Sequence, residues 1–435
     1  MNTATASPTH ASAGTSTNKR VLLASLMGSS IEWFDYFLYA TTAALVFGKV
    51  FFPTSDPVVG LMLSYLTFSL TFFIRPLGGF IFSHIGDRIG RKKTLVITLS
   101  LMGGATVAIG LLPGYDQIGI LAPILLILLR LIQGLGIGGE WGGALLLAYE
   151  YAPKNRKGLF GSVPQMGVTI GMVLATLAMT VMSTSLSDEQ FLSWGWRVPF
   201  ILSAILVFLG LWIRKGIDET PAFKEAKASG NVAKIPLLET LRYHWRAVLV
   251  AIGIKFVETA PFYIFSTFIV SYATSTLAFD RITVLNAVTI ATLITTLMIP
   301  VMGRLSDSIG RKKMFVGGAI LMALFTFPYF MLLEQRTTTT LLIATIIGLG
   351  LVWAPITAVL GTLFSEIFST RVRYTGITLG YQVGAALAGG TAPLVATWLL
   401  KSYDGSWVPV AWYIVGTVVI SLVAISFAKT VADND

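Results

Sequence analysis

Long apolar runs separated by short charged loops fill this chain from about residue 20 to residue 430. A helix needs about 20 apolar residues to cross a hydrocarbon core of ~30 Å. On that ruler twelve spans emerge, at roughly 21–47, 58–83, 94–112, 119–149, 158–186, 197–214, 246–272, 283–303, 314–333, 340–364, 374–400 and 407–428. Charged residues make up 12% of the chain, against about 25% in a soluble domain. The expectation is an all-α integral membrane protein in the lipid bilayer.

One charged turn appears twice. His84 to Lys93 reads HIGDRIGRKK, and Asp307 to Lys313 reads DSIGRKK, 220 residues further on from Asp87 to Asp307. Glu150 with Lys154, Arg156 and Lys157 has its echo in Glu366 with Arg371 and Arg373. An acid that can cap a helix, glycines for tight turning and a cationic cluster suit a short loop at one membrane face. Repetition at this period predicts two similar halves. The expected division is a disordered tail 1–18, a first six-helix bundle 19–214, a cytoplasmic linker 215–245, a second bundle 246–430 and a tail 431–435.

The net charge of +10 reads as topology rather than nucleic-acid binding, because the cations sit in short loops. With the N-terminus cytoplasmic, 23 of the 31 Lys and Arg fall on that side, 5 on the other and 3 within spans. Both termini are therefore expected inside. The chain has no cysteine, and His10, His84 and His244 form no ligand spacing, so no metal is expected. There is no P-loop, no HExxH and no nucleophile triad, which argues against an ATP motor and against an enzyme.

Charges inside the bilayer cost at least about 2.5–3.5 kcal/mol each at a helix centre and mark function. Glu32 and Asp35 stand three apart on one face of span 1, with Tyr36 and Tyr39 close by. Arg130 in span 4 lies at a similar depth, so the acids and the arginine are expected to face each other. A static ion pair that only fixes packing is the alternative. Lys255 and Glu258 repeat the i, i+3 pattern in span 7, as a substrate site or as a self-neutralised pair. Arg75, near the inner edge of span 2, is assigned to the cytoplasmic gate, and Glu140 to a pairing with a loop cation such as Arg91. Gly134, Gly138 and Gly142 recur every four residues, a helix-packing pattern.

The stretches IEWFDYFLYA, RPLGGFIFSHIGDRIGRKK, LRLIQGLGIGGEWGGALLLAYEYAPKNRKG and FLSWGWRVPF resemble the metabolite:proton symporter family of the major facilitator superfamily. The resemblance covers about 20 to 430. It implies two pseudo-symmetric six-helix bundles around a central cavity, alternating access, and a location in a bacterial cytoplasmic (inner) membrane. It implies symport of a proton, with no other cofactor, and a small organic anion such as shikimate or a mono- or dicarboxylate. Uptake of an osmolyte such as betaine or proline is the alternative, although the residues after Lys429 lack the heptads of osmosensing relatives. Proton coupling falls to Asp35, Glu32 and Arg130. Substrate binding falls to Tyr36, Tyr39, Arg130, Gln133, Lys255, Glu258, Tyr263 and Gln382. The gate comprises Arg75, Asp87, Arg88, Arg91, Glu140, Glu150, Arg156, Asp307, Arg311, Glu366 and Arg373. Ser83 and Ser308 depart from the family's loop pattern, which predicts a weaker second latch. A monomer is expected.

Overall fold

Every backbone polar group in lipid must be satisfied within the protein, and a chain of this composition does so by forming helices. A computed structural model describes residues 11–89, 91–138, 145, 148–149, 152–215, 236–368 and 373–429. The principal helices are α1 Ala11–Thr42, α2 Pro57–Ile89, α3 Arg91–Leu111, α4 Leu121–Ile137, α5 Lys157–Ser185 and α6 Arg197–Lys215. The second half comprises α7 Trp245–Tyr263, α8 Arg281–Ile309, α9 Arg311–Glu334, α10 Ala354–Ile367, α11 Arg373–Gly384 and α12 Val408–Ser426. Among the described residues eight helices are long and apolar enough to cross a membrane, and a bent pair over Asp188–Gly195 and Arg197–Trp212 makes a ninth. Shorter apolar helices over Val96–Leu111 and Leu121–Ile137, together with α1, bring the set to twelve. Helix α1 already runs from Ala11, so part of the expected tail is helical. After Pro8 no proline interrupts the chain before span 1.

Several spans continue beyond these bounds through π-helical turns. Helix α7 passes through Ile264–Phe268 and Tyr272–Thr276 after Pro261. Helix α10 is entered through Ile346–Trp353 just before Pro355, and α11 continues through Ala385–Gly390 to Pro393. Proline lacks an N–H and crowds the preceding turn, and ahead of Pro355 and Pro393 a wider turn absorbs both faults. All three spans have contacts with the other half.

The two halves meet along a long antiparallel seam between α5 and α8. Thr296 donates to Thr169 and Thr289 to Thr176, each at 2.7 Å. Ser162 lies over Gly303, where an added Cβ would come within 2.5 Å of its hydroxyl. These pairs recur every seven residues on both helices, so small and hydroxylated residues face each other through the membrane.

Inside the first half, α2 and α4 are in backbone contact. A Cβ on Gly138 would stand 2.1 Å from the Arg75 carbonyl oxygen, and one on Gly134 would stand 2.8 Å from that of Thr71. Gly142 lies outside the described residues. The glycines therefore fix where Arg75 sits. Gly138→Ala is expected to lower stability by about 1–3 kcal/mol through overpacking. Gly104→Ala, with nothing within 4 Å of the new methyl, should be neutral or gain up to ~1 kcal/mol of helix propensity. Thermal unfolding in detergent compares the two, and equal melting temperatures would refute the contact.

Candidate substrate and proton site

Asp35, Arg130 and Gln133 are buried at the centre of the first half. Arg130 does not pair directly with Asp35. Its Nη1 donates to Gln133 Oε1 at 2.7 Å, Gln133 Nε2 donates to Thr106 Oγ1 at 2.7 Å, and Thr106 donates to Asp35 Oδ2 at 3.1 Å. Asp35 Oδ1 and Arg130 Nε and Nη2 have no hydrogen-bond partner. The Arg130 guanidinium lies over Tyr39, 3.5 Å from the ring centroid, and Tyr39 in turn shares a 2.5 Å hydrogen bond with Thr67.

Arg75 stands inside the bundle, away from the gate to which its position along span 2 assigned it. It is 1% exposed, and its guanidinium lies 4.6 Å from the Tyr36 centroid, 4.5 Å from Phe72 and 5.6 Å from Trp33. Its Nε and Nη2 also lack partners. Tyr36 thus stands between two guanidiniums, with Arg130 at 5.8 Å. A cavity of about 10 Å³, room for roughly one water, lies beside it. Glu32, Trp33, Tyr36, Arg75, Tyr381 and Gln382 line it.

The second half supplies the facing wall. Lys255 forms an ion pair with Glu258 and lies 3.7 Å over the Tyr381 ring. Glu258 also accepts from Thr259 at 2.6 Å and from Thr357 at 3.2 Å. Gln165 on α5 donates to the Thr357 hydroxyl at 3.2 Å and so ties this cluster to the first half. Tyr263 inserts between the halves, 5.4 Å from Phe68, 5.5 Å from Phe72 and 6.2 Å from Tyr36. Gln382 is buried, with Oε1 unpaired.

At the end bearing the chain termini, Asp307 caps the first half. Its carboxylate accepts from Gly158 N at 2.7 Å and Leu159 N at 3.2 Å, at the start of α5, and from Arg311 at 2.9 Å. Arg311 Nε is 3.6 Å from Glu366, and Thr362 donates to the Lys157 carbonyl. The Ser308 hydroxyl bonds within its own helix, so Asp307 and Arg311 hold this contact. Arg373 donates to the Phe368 carbonyl, and Arg156 is exposed. The side chains of Asp87, Arg88, Arg91, Glu140 and Glu150 lie outside the described residues.

The opposite end carries a gate that the sequence reading missed. Arg281 donates to Asp188 at 2.9 Å and to Ser183 at 3.0 Å, and Lys401 pairs with Asp56. Tyr65 shares a 2.8 Å hydrogen bond with Ser271. Each contact joins one half to the other. Lys401 and the Val58 N–H hold the Asp56 carboxyl below its ordinary value. The pair is thus complete at neutral pH and is lost only as pH falls below the usual carboxyl range of about 3.9. These partners are separated by up to 345 residues, so nothing in the sequence placed them together.

Two family models match the chain: one described as "Sugar (and other) transporter" over residues 21–234, the other as "Major Facilitator Superfamily" over residues 252–434. The chain is 39% identical over 405 residues to the shikimate transporter of Escherichia coli, covering 93% of this chain and 92% of that protein. It is 43% identical over 392 residues to the inner membrane metabolite transport protein YhjE of the same organism, covering 88% of each. To the E. coli proline/betaine transporter it is 33% identical over 417 residues, covering 93% of this chain and 82% of that one. A partially occluded, inward-open structure of the E. coli xylose transporter XylE superposes with a TM-score of 0.72 at 16% identity, covering 96% and 99%. That likeness establishes a shared fold.

Asp307→Asn should weaken the cap on α5 by about 0.3–2 kcal/mol and open the termini end in proportion, a roughly 2- to 30-fold shift. The chain has no native cysteine, so a Thr362→Cys reporter gives a background-free labelling rate. Identical labelling with and without Asp307→Asn would count against the latch.

Proposed function

The chain belongs to the major facilitator superfamily, and from that premise we propose a proton-coupled symporter for a small organic anion. The observation that carries this reading is the pair of buried guanidiniums, Arg75 and Arg130, with unpartnered N–H groups on both sides of Tyr36. Buried charged donors without acceptors are costly, and a carboxylate is the ligand that satisfies them with short, charge-assisted hydrogen bonds. Lys255 adds less, because Glu258 already neutralises it. Shikimate, the named substrate of one relative, is a small carboxylate of the expected kind.

Two carboxylates differ in their surroundings, and the difference supports a division of labour. Glu258 accepts from an ammonium and two hydroxyls, so its oxygens are already taken up by partners in its own half. Asp35 has one hydroxyl donor and one bare oxygen, so its charge is poorly supported and proton uptake relieves it. Asp35 is therefore assigned the coupling proton. One proton travelling with a monoanion moves no net charge, so the pH gradient alone drives accumulation in the cytoplasm.

The second reading, uptake of betaine or proline, draws on relatives at 33–34% identity and on the aromatic cluster around Tyr36. Aromatic cages bind quaternary ammonium groups through their ring faces. Here Arg75 occupies the faces of Tyr36, Phe72 and Trp33, and Arg130 that of Tyr39. Betaine and proline are zwitterions, and their ammonium end would meet two cations where it needs bare rings. The aromatic cluster thus favours the anion.

Counterflow in proteoliposomes, screened with small carboxylates against betaine and proline, tests the choice. Carboxylates are expected to exchange, and exchange by betaine alone would refute the anion site. Arg75→Ala and Arg130→Ala should each weaken carboxylate binding by about 1.5–3 kcal/mol, roughly 10- to 150-fold. Asp35→Asn should keep counterflow and lose accumulation under an imposed pH gradient. Full accumulation by that variant would remove Asp35 from the mechanism.

A further inference from the structure

Thr106 on α3 was not among the residues expected at the site, yet it stands at the junction of the polar chain. Its hydroxyl has two acceptors in reach, Asp35 Oδ2 at 3.1 Å and the Met102 carbonyl at 3.0 Å. Its oxygen accepts from Gln133, which holds Arg130 with its amide oxygen. All four side chains are at most 1% exposed. We propose that Thr106 and Gln133 are positioning residues that convert the protonation of Asp35 into the freeing of Arg130 for substrate. This rests on the roles of Asp35 and Arg130 given above.

A hydroxyl carries a single proton, and that makes Thr106 a switch. With Asp35 ionised, the proton points at Oδ2 and the oxygen lone pairs face Gln133. The Gln133 amide is thereby fixed with its oxygen on Arg130 Nη1, and one of the guanidinium's donors is occupied. When Asp35 takes a proton from solvent, no charge competes with the Met102 carbonyl for the Thr106 hydrogen. The hydroxyl turns to Met102, and the new carboxyl O–H donates to the Thr106 oxygen in competition with Gln133. Gln133 is released, and Arg130 Nη1 joins Nε and Nη2 as donors for a carboxylate. Proton loss after substrate release restores the first state, with no other bond changed.

The surroundings contain few competing groups. Arg75 on α2 and Arg130 on α4 are the charged side chains of the neighbouring helices near this depth, with Glu32, Tyr36 and Tyr39 on α1 itself. Helices α3, α5 and α6 carry their charges towards their ends, at Arg91, Lys92 and Lys93, at Lys157, and at Arg197, Arg214 and Lys215. Tyr263 on α7 reaches Tyr36 from the other half.

The test is pH-difference infrared spectroscopy of the purified full-length chain in lipid nanodiscs, which needs no substrate. One protonated-carboxyl band should vanish in Asp35→Asn. Thr106→Val and Gln133→Leu should each move the pH at which that band appears upward by about one unit, a tenfold change in proton affinity. The sign follows from loss of a donor to the carboxylate in the first case and of its link to Arg130 in the second. Thr106→Ser, which keeps the hydroxyl, should restore the wild-type value. An unmoved band in Thr106→Val, an equal shift in Thr106→Ser, or a band that survives Asp35→Asn overturns the relay. Wild-type counterflow judges the anion reading separately. A chain that shows these shifts but exchanges no carboxylate keeps the relay and loses the anion.

Discussion

A guanidinium buried in a largely apolar bundle is the constraint around which this protein is arranged. Removing such a charge from water costs several kcal/mol even after relaxation. Arg75 and Arg130 are both buried, and the protein meets the cost partly with aromatic faces. Cation–π contacts return about 0.5–2 kcal/mol each, and they leave the N–H edges bare. Asp35 reaches Arg130 through Thr106 and Gln133 and so offsets its charge at a distance. The remaining deficit is what our proposal turns into a binding site: donors without a protein acceptor suit an anion that brings its own.

The halves also meet at both ends of the bundle, and the two ends use different physics. Near the termini a helix cap does the work, with Asp307 placed on the first N–H groups of α5. At the far end Arg281–Asp188 and Lys401–Asp56 bridge the halves as ion pairs in exposed or half-exposed positions. Exposed pairs are worth at most about 1 kcal/mol each, so they suit contacts that must break in every cycle. Between the ends, the Thr169–Thr296 and Thr176–Thr289 pairs hold α5 against α8 through the membrane. Around Tyr263 the contacts are aromatic and mostly edge-on, and the adjoining π-helical turns of α7 give that wall a place to bend.

The spans, the two halves and the buried charges were legible in the sequence, because apolar runs of this length have few places to go except across a bilayer, and charges within them are too costly to be incidental. Helical rise also placed Asp35 and Arg130 level with each other, and Thr106 and Gln133 link them. What the sequence could not supply was lateral position. Arg75 reads as a gate residue when measured along span 2, and the Gly134 and Gly138 contacts with α2 carry it into the cavity. Thr106 is one threonine among many until Asp35 and Gln133 are placed beside it. The far-end pairs were invisible for the same reason, since an exposed lysine and aspartate carry no signal until their distance is known.

The duplication also accounts for why the two carboxylates need not play one part. Span 1 carries Glu32 and Asp35, and span 7, its counterpart in the second half, carries Lys255 and Glu258. Each places two charges three residues apart, two acids in the first half and a base with an acid in the second. Lys255 then requires its own counter-ion, and Glu258 one turn further along α7 provides it, steadied by Thr259 and Thr357. That acid is committed to a neighbour that cannot leave, whereas Asp35 is joined to its arginine only through groups that can turn. A repeated scaffold has thus acquired one fixed pair and one adjustable chain, bound to each other across the cavity through Gln165 and Thr357. The half in which the acid was kept apart from the arginine is the one to which we assign the coupling proton.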